Sequence, residues 1–167
     1  MRGWRKVFVL IAVVGLFGCA TAYKPIPDGY TGPTASLADS GIKENFAKAQ
    51  MFVVDAIDGK SIENSLGASR SASYGQGPML TTLFITRQIQ AKPQRVKLIG
   101  TDITAAPIVA LFSMAAGQYS SVEGEVDFNP APGACYIVKG ELGKDGSSVW
   151  IEDSKTNERV TDKVEKK

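Results

Sequence analysis

The sequence predicts a mainly β fold, built as an antiparallel sandwich or barrel. Three observations support this prediction: short segments alternate polar and apolar residues, Asp-Gly and Pro-Gly pairs separate them, and the segments recur about every 8 to 12 residues. Residues 105–116 are almost wholly apolar and uncharged, so they fit either one short buried helix or a central strand.

The pattern of side chains justifies each predicted strand in turn. Residues 51–57 are rich in β-branched side chains, and the Asp58-Gly59 pair that follows is a hairpin signal leading into residues 60–63. Residues 80–90 and 95–100 alternate as the strands of a half-solvated sheet do. The remaining strands are predicted over residues 121–128, 134–142 and 148–152, with a last edge at 156–160.

Residues 67–78 are small and polar, which predicts a mobile loop. Such a loop on a rigid sandwich would present Arg70 and Tyr74, and these two residues are our candidates for binding. The simpler interpretation is a long surface loop without a ligand.

The first 18 residues have the pattern of a secretory signal. Arg2, Arg5 and Lys6 precede an uncharged, almost wholly apolar run over residues 7–17. This run is shorter than the roughly 20 residues that a membrane-spanning helix needs. We therefore expect export of the chain and removal of the signal.

The signal ends in Leu16-Phe17-Gly18-Cys19, which resembles the lipobox of bacterial lipoproteins. The resemblance implies a diacylglyceryl thioether on Cys19, cleavage before this residue, and usually a third acyl chain on the new amino terminus. Two or three acyl chains hold a protein firmly on a membrane. In a bacterium with two membranes, Ala20 in place of an aspartate favours sorting to the outer membrane, and we expect its periplasmic face. The alternatives are a plain signal cleaved elsewhere and an uncleaved anchor.

These features divide the chain into four parts. They are the signal peptide at 1–18, the lipidated amino terminus and Pro/Gly-rich tether at 19–39, the β-sandwich domain at 40–161, and a charged tail at 162–167 that should fray. At about 3.1 Å per residue, the tether would let the domain stand roughly 60 Å from the bilayer. Alternatively, Tyr30 and Leu37 pack onto the domain and order the far end of this segment.

The second half of the chain carries another resemblance, in Phe128-x-Pro130-x-Pro132-Gly133-x-x-Tyr136-x-Val138 followed by Val149-Trp150-Ile151-Glu152-Asp153. This arrangement is similar to the closing half of small bacterial lipoproteins with transthyretin-like or immunoglobulin-like sandwiches. It implies a sandwich with Tyr136 pointing inward, and it implies no activity.

Composition excludes several classes of function. The chain has no histidine, which excludes Ser-His-Asp and Cys-His catalysis and the usual zinc sites. Without the three basic residues of the signal, sixteen basic and seventeen acidic residues remain, so charge gives no support for nucleic-acid binding. We expect no metal or other cofactor.

Two further groups of residues have a simple structural interpretation. Cys135 lies in an apolar run, so we expect a buried thiol rather than a reactive one or an intermolecular bridge. Glu123, Glu125 and Asp127 alternate along one strand, where they predict a solvated face. The same row of carboxylates is the alternative candidate for acid/base chemistry or cation binding.

We therefore expect a non-enzymatic envelope lipoprotein that binds a protein or glycan as an accessory module. The alternative is a small envelope hydrolase or glycan-processing enzyme that uses carboxylates or a Ser-Lys pair, with Ser61 or Ser73 as the serine. A concave pocket with two or more buried ionisable groups would favour the enzyme, whereas a flat or loop-rimmed sandwich would favour the binding module.

Cells fed a fatty-acid analogue with a chemical handle should label this protein at Cys19. The Cys19→Ser variant should lose the label because serine offers no thiol for the thioether, whereas Cys135→Ser should keep it. In-gel detection of the handle measures both outcomes. An unlabelled wild-type protein, or a mature terminus away from residue 19, would contradict the assignment.

Overall fold

The part of the chain that the structure describes is a β-sandwich with one short helix on its outside. The computed structural model describes residues 22–105 and 119–166. These residues contain β1 Thr34–Ala38, β2 Ser40–Lys43, β3 Lys48–Ile57, β4 Lys60–Ser61, α1 Ser65–Ser73, β5 Thr86–Gln90, β6 Gln94–Thr104, β7 Ser121–Phe128, β8 Cys135–Gly143, β9 Gly146–Asp153 and β10 Val164–Lys166.

The described strands form two five-stranded sheets. Sheet I has the order β10-β9-β8-β1-β5, and sheet II has the order β2-β3-β6-β7 with β4 beside β3. Neighbouring strands are antiparallel except β1 and β8, which run parallel. The predicted mainly β sandwich is therefore confirmed.

The main core lies between the two sheets. Its fully buried side chains include Leu37, Ile89, Val138, Val149 and Ile151 from sheet I and Phe52, Val54, Val96, Leu98 and Val122 from sheet II. Phe52 of sheet II reaches across to Gly140 of sheet I, where a methyl group on Gly140 would overlap the phenyl ring. Tyr136 is buried in this core, as the resemblance implied, with its ring edge-on to Phe128 at 5.0 Å.

The hairpin predicted at Asp58-Gly59 is present between β3 and β4. Asp58 and Gly59 have φ values of 48° and 73°, and two consecutive positive φ values are the signature of the tight turns that suit twisted strands. The Asp58 carboxylate accepts a hydrogen bond from the Arg95 N–H at 2.9 Å, which ties this turn to β6. The returning strand is shorter than the predicted segment 60–63, since β4 contains only Lys60 and Ser61.

The prediction of a loop over residues 67–78 is wrong for its first part, because α1 covers Ser65–Ser73. Asn64 caps the helix by accepting a hydrogen bond from the Gly67 N–H at 3.1 Å. The helix packs on the outer face of sheet II through Leu66. Its other buried residues are serines, so the apolar periodicity that normally predicts a helix is missing.

The buried serine hydroxyls of α1 hold the next segment of the chain. They accept hydrogen bonds from alternate backbone N–H groups: Ser65 from Ile85 at 2.8 Å, Ser69 from Leu83 at 2.9 Å and Ser73 from Thr81 at 2.9 Å. The serines are four residues apart, which is a rise of about 6 Å along the helix. Their partners are two residues apart, which is about 6.6 Å along an extended chain, so each serine reaches the next N–H that faces it. We call this contact the serine seam. The strand predicted over 80–90 is thus a sheet strand only at Thr86–Gln90.

Asp39 lies where the chain crosses from sheet I to sheet II, and its side chain is fully buried. Arg87 on β5 donates two hydrogen bonds to its carboxylate, at 2.7 and 2.6 Å. The carboxylate also accepts bonds from the Val54 N–H at 3.1 Å, the Ser65 N–H at 2.9 Å and the Ser65 hydroxyl at 2.8 Å. One side chain therefore joins both sheets to the start of α1.

The predicted tether to residue 39 is too long. Residues 34–38 form a strand of sheet I, and the Tyr23 N–H already donates to the Ser61 carbonyl at 2.9 Å. The Tyr23 ring packs against the main core, and Lys60 Nζ lies 4.6 Å from its centroid. Tyr23 is thus part of the sandwich and not of a free tether.

The predictions at the carboxyl end are also wrong. Residues 156–160 contribute only an isolated bridge between Glu152 and Arg159. The tail that was expected to fray contains β10, which pairs with β9, and Val164 packs against the main core.

Several predictions fall on residues that the structure does not describe. These are the signal, Cys19, and the helix or strand at 105–116 apart from Ala105. Among the described residues, no helix is long and apolar enough to span a membrane.

Asp39→Asn should lower the free energy of unfolding by about 3 to 5 kcal/mol, because the nearly buried Arg87 guanidinium would lose its counter-charge. Chemical denaturation measures the change. Glu125→Gln is the matched control, since its ion pair with Arg95 is solvent-exposed and contributes less than about 1 kcal/mol. Equal losses of unfolding free energy in the two variants would show that the Asp39–Arg87 pair stabilises the fold no more than a surface ion pair does.

Candidate functional site

A cleft brings the two predicted binding residues together at the end of the sandwich where β6 ends. It has a volume of about 320 Å³. Its lining comprises Arg70, Ser73, Tyr74, Asp102, Ile103, Thr104, Ala105 and Tyr119. Arg70 and Tyr74 come from the end of α1 and the residue after it, so the seam that holds α1 also holds the backbone that carries these side chains.

The rim of the cleft is exposed. Tyr74 is 92% exposed, and Arg70 also faces solvent in the last turn of α1. A cation in the last turn of a helix is favoured by the helix dipole, which gives Arg70 a structural reason for its position as well. The structure thus places both predicted residues at the surface, although a helix and not a mobile loop carries Arg70.

Asp102 is a buried carboxylate on the cleft wall that the sequence analysis missed. Its side chain is 2% exposed. Oδ2 accepts a hydrogen bond from the Ser120 N–H at 2.8 Å. Oδ1 lies 3.4 Å from Lys48 Nζ, within ion-pair distance, but no described group donates a well-aligned hydrogen bond to it. Burial of a carboxylate is costly unless it is paired, so Lys48 stabilises this arrangement.

A sequence signal for Asp102 did exist. Val96 and Leu98 point to the inward face of β6. Asp102 lies four residues after Leu98, so the alternation of the strand places it on the same face. A carboxylate that continues an inward apolar row is an unusual residue at such a position. Tyr119 had no comparable signal, because its hydroxyl meets the Thr101 hydroxyl at 3.0 Å only after β6 and β7 have paired.

The cleft is therefore suited to recognition. Ile103 and Ala105 supply apolar wall, the tyrosines Tyr74 and Tyr119 supply rings with a polar end, and Arg70 supplies a positive charge. Within the described lining, Asp102 is the one buried ionisable group. This is fewer than the two that general acid/base chemistry by paired carboxylates needs.

The other buried ionisable pair, Asp39 and Arg87, has a structural role. The two carboxylate oxygens of Asp39 together accept five hydrogen bonds, and the Asp39 side chain has no solvent exposure. Arg87 borders a separate groove of about 360 Å³ that also contains Tyr23 and Ile62. A carboxylate saturated in this way has no lone pair free to take a substrate proton.

The row Glu123, Glu125 and Asp127 lies on the solvated face of β7, as predicted. Arg95 lies 3.6 Å from both Glu125 and Asp127, and Lys97 lies 3.3 Å from Glu123. The hydrogen bond to the Glu123 carboxylate raises the pKa of Lys97 above its ordinary value. The row therefore belongs to a ladder of surface ion pairs. No three metal-ligating side chains gather in the part of the chain that the structure describes.

The serines proposed for a Ser-Lys pair are not arranged for it. The Ser73 hydroxyl donates to the Ser69 carbonyl at 2.8 Å and accepts from the Thr81 N–H at 2.9 Å, so the serine seam occupies it. Ser61 is in the two-residue strand β4, and the ammonium of its neighbour Lys60 lies over the Tyr23 ring.

Cys135 was predicted to be buried, and this is wrong, because it is exposed at the start of β8. Tyr136 and Val138 take the inward positions of this strand. Because successive side chains of a strand point to opposite faces, Cys135 points outward. The continuous apolar run in the sequence hid this alternation.

Comparisons with protein-family models, with curated proteins and with solved structures gave no match to this chain.

The exposed Cys135 thiol should react with a maleimide in the folded protein. In the Cys19→Ser form, where Cys135 is the remaining cysteine, the rate in native buffer should be within a few-fold of the rate in denaturant. Mass spectrometry of the adduct measures this, and Cys135→Ser should give no adduct. A thiol that reacts only after unfolding would contradict the exposed position.

Proposed function

We propose that this protein is an outer-membrane lipoprotein whose β-sandwich binds an envelope protein or glycan on the periplasmic side as a non-enzymatic accessory module. The anchor in this proposal is Cys19, supported by the lipobox-like sequence Leu16-Phe17-Gly18-Cys19 after a basic and then apolar signal. Acylation at this position would keep the sandwich at the membrane that carries it.

The observation that carries the binding role is the cleft with its exposed Arg70 and Tyr74 rim. Arginine and tyrosine are enriched among the residues that dominate binding energy in protein interfaces. Tyrosine also contributes a large contact area while losing little side-chain entropy, which suits recognition of protein or carbohydrate. The 92% exposure of Tyr74 leaves its ring free for such contact.

The rigidity of the rim supports the same role. Ser73 and Ser69 bond α1 to the segment at 81–83, and Asp39 holds the start of the helix. Side chains on a fixed support lose less entropy on binding than side chains on a mobile loop. The helix thus makes Arg70 a better binding residue than the predicted loop would.

A small hydrolase or glycan-processing enzyme is the second candidate, and the buried Asp102 in the cleft favours it. One Asp102 oxygen lacks a well-aligned hydrogen bond among the described residues. Buried carboxylates in clefts are candidates for acid/base catalysis. Hydrolysis of an envelope glycan that is lost in Asp102→Asn, with the fold retained, would establish this candidate in place of the binding module.

The Arg70→Ala, Tyr74→Ala double variant should lose at least about tenfold in partner binding, since two contacts of about 1 kcal/mol or more are removed. The measurement is affinity capture of the intact lipoprotein from solubilised envelopes, quantified against wild type. Lys139→Ala is the control, because this exposed lysine on β8 lies away from the cleft.

Two outcomes would contradict the proposal. Unchanged capture by the double variant would remove the cleft as the binding site. If neither the acylated protein nor the Cys19→Ser form captured any envelope component, the accessory role would lose its support.

A further inference from the structure

The sandwich has two distinct ends, joined by its long central strands. The near end holds Tyr23, the Asp58-Gly59 turn and the turn at 91–93, which hydrogen bonds and strand pairing bring together. The far end holds Lys48, the end of β6 and the cleft with Arg70. The ten residues of β3 run from the far end to the near end, a length of about 30 Å at 3.3 Å per residue.

The covalent chain sets a limit on how far the near end can lie from residue 19. The Tyr23 N–H is bonded to the Ser61 carbonyl, and its ring packs against the core, so Tyr23 belongs to the sandwich. Three residues separate it from Cys19. Four residue steps span at most about 14 Å even when fully extended.

We propose that the near end of the sandwich lies against the phospholipid headgroups and that the cleft consequently faces the aqueous space about 30 Å away. This inference rests on the proposed acylation of Cys19. Acyl chains on that residue must lie in the hydrocarbon. Because the connection from Cys19 to Tyr23 is at most about 14 Å long, Tyr23 must lie within or beside the headgroup layer. The roughly 60 Å separation expected from a long tether is incompatible with this short connection.

The near end has side chains that suit headgroups rather than hydrocarbon. Its exposed residues include Lys24, Asp58, Lys60 and Lys92. Phosphate groups and ammonium groups of phospholipids offer both charges to such a surface. The partner of the cleft would therefore be a component of the aqueous space and not the lipid that carries the anchor.

Depth-dependent fluorescence quenching tests this orientation. The acylated protein with Cys135→Ser is labelled with one fluorophore, at Lys60→Cys on the near end or at Lys144→Cys on the far end. Lys144 lies in the turn after Gly143, whose carbonyl accepts a bond from Ser120 beside Asp102. Vesicles of phosphatidylethanolamine and phosphatidylglycerol contain a lipid with a spin label at headgroup depth.

Quenching of the label at residue 60 should exceed that at residue 144 several-fold. Insertion of twenty Gly/Ser residues between Ala22 and Tyr23 should abolish most of the difference while leaving acylation intact, because the domain then leaves the surface. Equal quenching of the two labels in the original protein, or stronger quenching at residue 144, would overturn the orientation.

The fatty-acid label on the same samples separates the two possible failures. A labelled protein with the wrong quenching pattern refutes the orientation and leaves the anchor in place. An unlabelled protein refutes the anchor and, with it, the orientation.

Discussion

The buried carboxylate of Asp39 is the interaction on which the rest of the structure depends. It lies where the chain passes from one sheet to the other, and it binds Arg87 of sheet I, the backbone of β3 in sheet II, and the first turn of α1. A negative charge at the start of a helix is favoured by the exposed N–H groups there. The same ion thus fixes how the sheets face each other and where the helix begins.

From that fixed start, the serine seam positions the side of the cleft that α1 supplies. Ser65, Ser69 and Ser73 give α1 a polar buried face that an extended segment can bond to without joining a sheet. Tyr74 then follows directly after the last seam residue, at the mouth of the cleft. The position of the candidate site is therefore a consequence of backbone hydrogen bonding by side chains and not of apolar packing alone.

Local patterns predicted those parts of the fold that local physics controls. The hairpin at Asp58-Gly59 and the strands over 95–100 and 121–128 were predictable because turn chemistry and a period of two act within a few residues. The helix was missed because its buried face consists of serines, and Cys135 was misplaced because neighbouring apolar residues obscured the alternation. Arg70 and Tyr74 were proposed because they lie in a small, polar segment, and both line the cleft, whereas Asp102 and Tyr119 were not proposed.

The sequence by itself determined the mainly β class, most strand positions and the absence of histidine chemistry, since composition and short-range periodicity carry that information. Tertiary structure decided which residues form the cleft, because β6, α1 and Tyr119 meet only when distant segments pack. It also decided that Tyr23 is part of the sandwich. Tyr23 joins the body through a bond to Ser61, a contact between residues 38 positions apart that no local pattern encodes.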